Sequence, residues 1–207
     1  APARSSSVSD EVLVKVLITG GAGFIGSHLA EHLLAQGHQV VAFDNLATGS
    51  PQNVEQLRNN SHFSFVDGSV LDQQCLKPLV AETDMIYHMA AAVGVKLIME
   101  HQVESLESNV QGTENVIRLA HTLGNKKVIL ASSSEVYGKS LDVPWSEDAN
   151  ILLGPTSLGR WGYACSKMLD EFLALAYHKE FGLPVLILRL FNIVGPRQSS
   201  RYGMVIP

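Results

Sequence analysis

Residues Val16–Gly26 read VLITGGAGFIG, and this stretch limits the fold more than any other. Val16–Thr19 runs straight into a glycine cluster. The cluster runs into a segment with apolar residues at Ile25, Leu29, Leu33 and Leu34. The first part reads as a buried strand and the last as a helix stopped at Gly37. Glycines at such a junction let the backbone approach a pyrophosphate, and the free N–H groups of the helix N-terminus favour an anion. Two spacings coexist: Gly21, Gly23 and Gly26 fit G-x-G-x-x-G, and Gly20, Gly23 and Gly26 fit G-x-x-G-x-x-G. Asp44 ends the next apolar run, at the distance where a carboxylate binds a ribose 2′-hydroxyl. An acid there opposes the 2′-phosphate of NADP, so the pattern favours NAD.

The rest of the chain repeats the same alternation. Strands are predicted at 12–19, 39–43, 63–66, 85–88, 127–132 and 184–190. Helices are predicted at 24–36, 73–81, 103–123 and 163–181. The strand segments are rich in Val, Ile and Leu and alternate only weakly, which suits strands covered on both faces. The expected fold is therefore α/β, a doubly wound parallel sheet of the Rossmann type. Residues 11–207 form one dinucleotide-binding domain in this reading, and the Ser-rich residues 1–10 form a disordered tail.

Bulk properties exclude several classes. A net charge of −5 with 17% charged residues leaves no basic nucleic-acid surface. No apolar run approaches the roughly 18 residues of a membrane helix. Cys75 and Cys165 are too few for a disulfide framework and are expected as free thiols in a reducing cytoplasm. His28, Glu31 and His32 match the H-x-x-E-H zinc-peptidase pattern. They lie on the helix that starts at the phosphate loop, so they are read as solvated helix residues and no metal site is expected.

Tyr163 and Lys167 are four residues apart and share one face of their helix. A free phenol is a poor base at neutral pH, and a neighbouring ammonium lowers its pKa. Ser132–Gly138, SSSEVYG, follows the fifth strand, whose carboxyl end should face the ligand. A hydroxyl there can hydrogen-bond the oxygen that Tyr163 deprotonates.

Together these segments resemble the extended short-chain dehydrogenase/reductases, in particular the NAD-dependent nucleotide-sugar epimerases, dehydratases and decarboxylases. The markers are TGGAGFIGSH (19–28), DNLATG (44–49), HMAA (88–91), NVQGTENV (109–116), SSSEVYG, YACSK (163–167) and RLFNIVGPR (189–197). The resemblance implies catalytic roles for Ser133, Glu135, Tyr163 and Lys167. It implies a cofactor site of Gly20, Gly23, Phe24, Ile25 and Gly26 at the pyrophosphate, with Asp44 and Asn45 at the adenosine ribose. Thr48, Gly49, Gly68, Ser69 and Val70 would complete the adenosine half. Met89, Ala90, Ala91 and Val93 would line the channel. Asn109, Ala131, Ser132, Tyr163 and Lys167 would surround the nicotinamide half. Ser133, Ser134, Glu135 and Asn192 would meet the substrate, a nucleotide sugar with a UDP group. The family's small C-terminal substrate domain is largely absent from this sequence. One departure stands out: members often carry Asp after Gly following the third strand, where this chain has Gly68-Ser69-Val70.

The implied chemistry begins with Tyr163 taking the sugar 4-OH proton while the C4 hydride passes to NAD. The 4-keto sugar can then turn over and be reduced as its 4-epimer, lose water from C6, or, given a C5 carboxylate, lose carbon dioxide. Glu135 before Val-Tyr-Gly, with Ser134 rather than Asp ahead of it, resembles UDP-glucuronate decarboxylases. Decarboxylation therefore ranks first, 4-epimerisation second and 4,6-dehydration third, with a non-catalytic NAD-binding protein outside these. Glu135 is expected buried in the sugar site beside Ser133. The resemblance also implies a homodimer formed by the helices at 103–123 and 163–181.

Overall fold

The computed structural model describes residues 13–92 and 100–199. The strands are β1 (Lys15–Thr19), β2 (Gln39–Asp44), β3 (Phe63–Asp67), β4 (Met85–His88), β5 (Lys127–Ser133) and β6 (Val185–Leu190). The helices are α1 (Phe24–Ala35), α2 (Gln73–Ala81), α3 (Gln102–Thr122) and α4 (Arg160–Phe181). All strands pair in parallel, in the order β3-β2-β1-β4-β5-β6. The order reverses between β1 and β4, and the crevice outside the carboxyl ends of these two strands is where such sheets take ligands.

The sheet is covered on both faces, as the continuous apolar runs require. Val16 and Ile18 of β1 pack with Ala30 and Leu33 of α1 and with Val40, Val54 and Leu57. Leu17, between them in sequence, points to the opposite face and packs with Phe43, Ile86, Ile117 and Leu130. One strand thus feeds two cores through its two-residue period.

Predicted and observed elements agree closely in the interior and differ at the ends. The first strand begins at Lys15, the first residue in register with β2, rather than at residue 12. The helix predicted at 163–181 begins three residues earlier, at Arg160. Gly159 and Gly162 flank that start, and glycine is a weak helix former, so local propensity hides it. Three short 3₁₀ turns, at Pro51–Asn53, Glu55–Leu57 and Ser134–Tyr137, carry no clear pattern in the sequence.

Among the described residues no helix is long and apolar enough to cross a membrane. Both cysteines are free thiols. The N-terminal tail and Val93 lie outside the described residues.

Candidate active site

The glycine loop is shaped by close approach on three sides. Gly20 adopts φ +70°, and a Cβ on it would lie 2.8 Å from the Ala90 nitrogen on the chain leaving β4. A Cβ on Gly26 would lie 2.2 Å from the Gly20 carbonyl oxygen. That same oxygen accepts the Gly23 N–H at 3.1 Å, while Gly20 donates to the Phe43 carbonyl at 2.8 Å. Gly23 caps α1 without a side chain, so no side-chain oxygen covers the first-turn N–H groups of Phe24, Ile25 and Gly26. A Cβ on Gly23 would meet only the Gly20 oxygen. This is a cradle with room and donors for a pyrophosphate, and the chain's own residues fit one.

Asp44 is buried at the edge of the loop. Its Oδ2 accepts the Ala22 N–H at 2.9 Å and its Oδ1 accepts the Leu46 N–H at 2.8 Å. Burial raises its pKa, and the Leu46 and Ala22 N–H groups pull in the opposite direction. Asp44 therefore shapes the loop. Its register partner on β3 is Asp67, whose charge acts on Asp44. Asn45 accepts the Ala47 N–H, and a Cβ on Gly49 would press on Ala22 and on the Asp44 carboxylate. Gly68 follows Asp67, and its missing side chain leaves space for the Phe43 ring. Ser69 accepts the Leu71 N–H in a tight turn.

At the other end of the crevice Ser133, Tyr163 and Lys167 come together. Ser133 ends β5, and its hydroxyl faces the Tyr163 phenol closely enough to pull the phenol pKa down. Tyr163 and Lys167 stack on α4 as their spacing requires. The fully buried Lys167 ammonium pairs with Asp170 at 3.2 Å. Met89, Ala90 and Ala91 are half-buried on the chain leaving β4. Asn109 of α3 accepts the Ala92 N–H at 2.7 Å, which fixes the chain leaving β4. Its amide also faces the Ser166 hydroxyl.

The profile of the NAD dependent epimerase/dehydratase family matches residues 16–207. The chain belongs to that family. It is 48% identical over 194 residues to a UDP-N-acetyl-alpha-D-glucosaminuronate decarboxylase of Bacillus cytotoxicus, covering 93% of this chain and 59% of that protein. It is 36% identical over 199 residues to UDP-glucuronic acid decarboxylase 1 of Xenopus tropicalis, covering 96% and 46%. The chain thus spans about half the length of these relatives. Among solved structures it resembles DesIV, a dTDP-glucose 4,6-dehydratase from Streptomyces venezuelae with NAD and TYD bound. There the TM-score is 0.81 at 33% identity, covering 89% of this chain and 57% of that one.

Two expectations for this family member need correction. The Tyr163 pKa is raised, not lowered: burial outweighs the opposing pull of Lys167 and Ser133, and the charges of Asp170 and Glu135 add to it. Glu135 is exposed rather than buried. The Ser133 hydroxyl accepts the Glu135 N–H and opens the 3₁₀ turn Ser134–Tyr137, which carries the carboxylate to the rim. Its charge still reaches the Tyr163 phenol. The Ser132 hydroxyl donates to Glu171 on α4. Asn192 is exposed beyond the end of β6. Val93 falls outside the described residues.

The H-x-x-E-H residues do more than meet solvent. Glu31 pairs with Arg197, which holds its carboxyl below the usual carboxylate range, and a His28 ring nitrogen hydrogen-bonds the Pro196 carbonyl. They pin the segment after β6 onto α1. Among the described residues no group of three or more His, Cys, Asp or Glu is placed to hold a metal.

The sequence reading also missed residues. Asp170 and Glu171 stand three and four residues after Lys167 on α4. Arg189 of β6 makes a bidentate pair with Glu171, at 2.8 and 3.0 Å, and its guanidinium lies 4.9 Å from the centre of the Tyr137 ring. Tyr137 stacks on Trp145 at 5.1 Å, and Phe191 joins them. Register was the usable signal: Ser132 pairs with Arg189 across β5 and β6. Glu171→Gln keeps the shape but leaves Arg189 largely buried without its counter-charge. It should cost about 3 kcal/mol in chemical denaturation, within the range for breaking a buried pair.

Proposed function

We propose that this chain is the cofactor-binding and catalytic part of a UDP-uronate decarboxylase that works through a 4-keto sugar. The observation that carries the reading is the meeting of Ser133, Tyr163 and Lys167 at the carboxyl end of the sheet. The 48% identity to a UDP-N-acetyl-alpha-D-glucosaminuronate decarboxylase supports the uronate. NAD would be held by the glycine cradle, Asp44 and the Met89–Ala91 channel, and when bound it supplies the hydride acceptor and later donor at C4. Tyr163 removes the 4-OH proton, with Ser133 hydrogen-bonding the same oxygen and Lys167 offsetting the phenolate charge. Oxidation at C4 makes the substrate a β-keto acid. The bond from C5 to the carboxylate then breaks, carbon dioxide leaves, and its electron pair becomes the enolate. Glu135, at the rim, assists proton return to C5, and Tyr163 gives its proton back to the C4 oxygen as the bound cofactor would return the hydride to C4.

The exposure of Glu135 favours a second reading, 4-epimerisation, in which no group at that position need act on C5. A product assay on the full-length protein separates the two. With UDP-glucuronate and UDP-N-acetylglucosaminuronate, decarboxylation predicts carbon dioxide and a pentose nucleotide. Epimerisation predicts a 4-epimer with its carboxylate intact. Tyr163→Phe should abolish nearly all turnover while leaving NAD binding close to normal. Glu135→Gln should still form NADH on mixing but slow carbon dioxide release by roughly 10²–10⁴-fold. A nearly silent Glu135→Gln would overturn the decarboxylase reading.

The proposed cofactor is NAD rather than NADP. The β2–β3 register sets Asp67 beside Asp44, and two carboxylates there would oppose a 2′-phosphate. NAD should bind more tightly than NADP in fluorescence titrations, and Asp67→Asn should narrow the gap without the loop damage expected of Asp44→Ala. Equal affinities in the unmutated protein would contradict the assignment.

The proposed assembly is a homodimer through α3 and α4. Val103 and Leu106 on α3 and Leu169, Phe172 and Leu175 on α4 are exposed apolar residues at helical spacing. Phe172→Glu should convert a sedimenting dimer to monomer at micromolar concentration, and an unmutated monomer would refute the arrangement. The two unpaired cysteines suit a reducing cytoplasm, where we place the protein.

A further inference from the structure

A chain of buried polar side chains leads away from Lys167 into the sheet. Lys167 donates to Asp170. Burial raises the Asp170 pKa, while Lys167 and the Thr113 hydroxyl of α3 facing the carboxylate hold it toward the ionised form. The Thr113 hydroxyl lies 3.1 Å from Nε2 of His88, the last residue of β4. Nδ1 of His88 lies 2.7 Å from the Thr19 hydroxyl at the end of β1, and the Thr19 oxygen accepts the Ala90 N–H at 3.3 Å. Thr19, His88, Thr113, Lys167 and Asp170 are all essentially inaccessible to water. Thr19, His88, Thr113 and Asp170 have no part in the chemistry proposed above.

The direction of every hydrogen bond follows from donor counting. An ionised Asp170 only accepts, so Thr113 gives it its single O–H. The Thr113 oxygen must then accept, so His88 carries its proton on Nε2. Neutral His88 leaves Nδ1 bare, and Nδ1 accepts the Thr19 O–H. The Thr19 oxygen is left to accept from Ala90. Burial, with Lys167 nearby, pushes the His88 pKa down to about 3, so the ring is neutral at ordinary pH. A protonated Asp170 would reverse the run and move the His88 proton to Nδ1. The His88 tautomer therefore reports the charge on Asp170.

We propose that Thr19, His88, Thr113 and Asp170 form a one-way hydrogen-bond relay that divides Lys167 between Asp170 and Tyr163, and so sets how readily Tyr163 acts as the base. Thr113 and His88 are positioning residues in this scheme. Lys167 has two anionic claimants, the Asp170 carboxylate and the Tyr163 phenolate. A donor on Asp170 weakens its hold on Lys167 and frees that charge for the phenolate. Loss of the donor tightens the Lys167–Asp170 pair and disfavours the phenolate. Loss of the Asp170 charge does the reverse. Glu135, on the turn after β5, also acts on Tyr163, and Glu171, beside Asp170 on α4, acts on Asp170. Glu171 is already paired with Arg189.

The relay rests on Tyr163 being the base, but its test needs no substrate. In the ligand-free full-length protein labelled with ¹³Cζ-tyrosine, Tyr163→Phe identifies the Tyr163 signal. At a fixed alkaline pH where all variants remain folded by circular dichroism, Thr113→Val should lower the tyrosinate fraction at Tyr163. Asp170→Asn should raise it, and Thr113→Ser should match the wild type. Nitrogen-15 shifts should show wild-type His88 as the Nε2–H tautomer, with no titration near the ordinary histidine pKa. Folded Thr113→Val and Asp170→Asn proteins with unchanged tyrosinate fractions would overturn the proposal. So would an Nδ1–H tautomer or a titrating His88 in the wild type. Failure of the uronate assay with a responsive Tyr163 would remove the substrate reading and leave the relay standing.

Discussion

The Gly20 carbonyl oxygen is the point on which the ligand end of this fold turns. It accepts the Gly23 N–H and lies where only a residue without a side chain at position 26 can pass. Helix α1 can therefore start close against β1. The chain leaving β4 also passes close to Gly20, where a Cβ would lie 2.8 Å from the Ala90 nitrogen. A methyl group at either position would force the two exits apart and widen the crevice at the point where the strand order reverses. Backbone proximity defines the binding cleft here, and the side chains around it, Asp44 above all, hold that proximity in place.

A second constraint is electrostatic. Helices α3 and α4 face the sheet with polar as well as apolar side chains, among them Asn109, Thr113, Ser166, Lys167, Asp170 and Glu171, all buried. Charges in such a place are costly unless paired and hydrogen-bonded. The structure meets that demand with two pairs side by side on α4: Lys167 with Asp170, and Glu171 with Arg189 and Ser132. The two pairs keep Lys167 apart from Glu171, four residues further along the same helix. That separation matters because Lys167 has to remain available to Tyr163.

The strand–helix alternation, the glycine loop, Asp44 and the Tyr163–Lys167 face were legible because each rests on short-range periodicity. What escaped the reading depends on contacts between elements. Three successive serines look alike in composition, yet Ser132 faces Glu171 and Ser133 faces Tyr163, a division set by the alternation of β5 and its register with β6. Asp67 gains meaning only once β3 is in register beside β2. His88 read as part of a family marker, but its partners lie on β1 and α3, far away in sequence. The raised Tyr163 pKa was hidden for the same reason: the spacing reveals Lys167, while burial and the facing carboxylates come from the tertiary structure.

The position of Glu135 follows from the same serine run. A hydroxyl that must reach Tyr163 has to end β5 facing the crevice, and Ser133 does so while accepting the Glu135 N–H. That hydrogen bond closes a tight turn and swings the next side chain outward. Ser133 and Glu135 therefore cannot both be buried beside the phenol in this backbone. A rim position suits a carboxylate that exchanges a proton with water and passes it to carbon, because a solvent-linked acid can be reprotonated in each cycle. It suits poorly a group meant to hold a fixed charge against the substrate's own carboxylate, since the two would repel at short range. If Glu135 acts in the reaction, its position argues for proton return after carbon dioxide has left, rather than for binding the uronate before it.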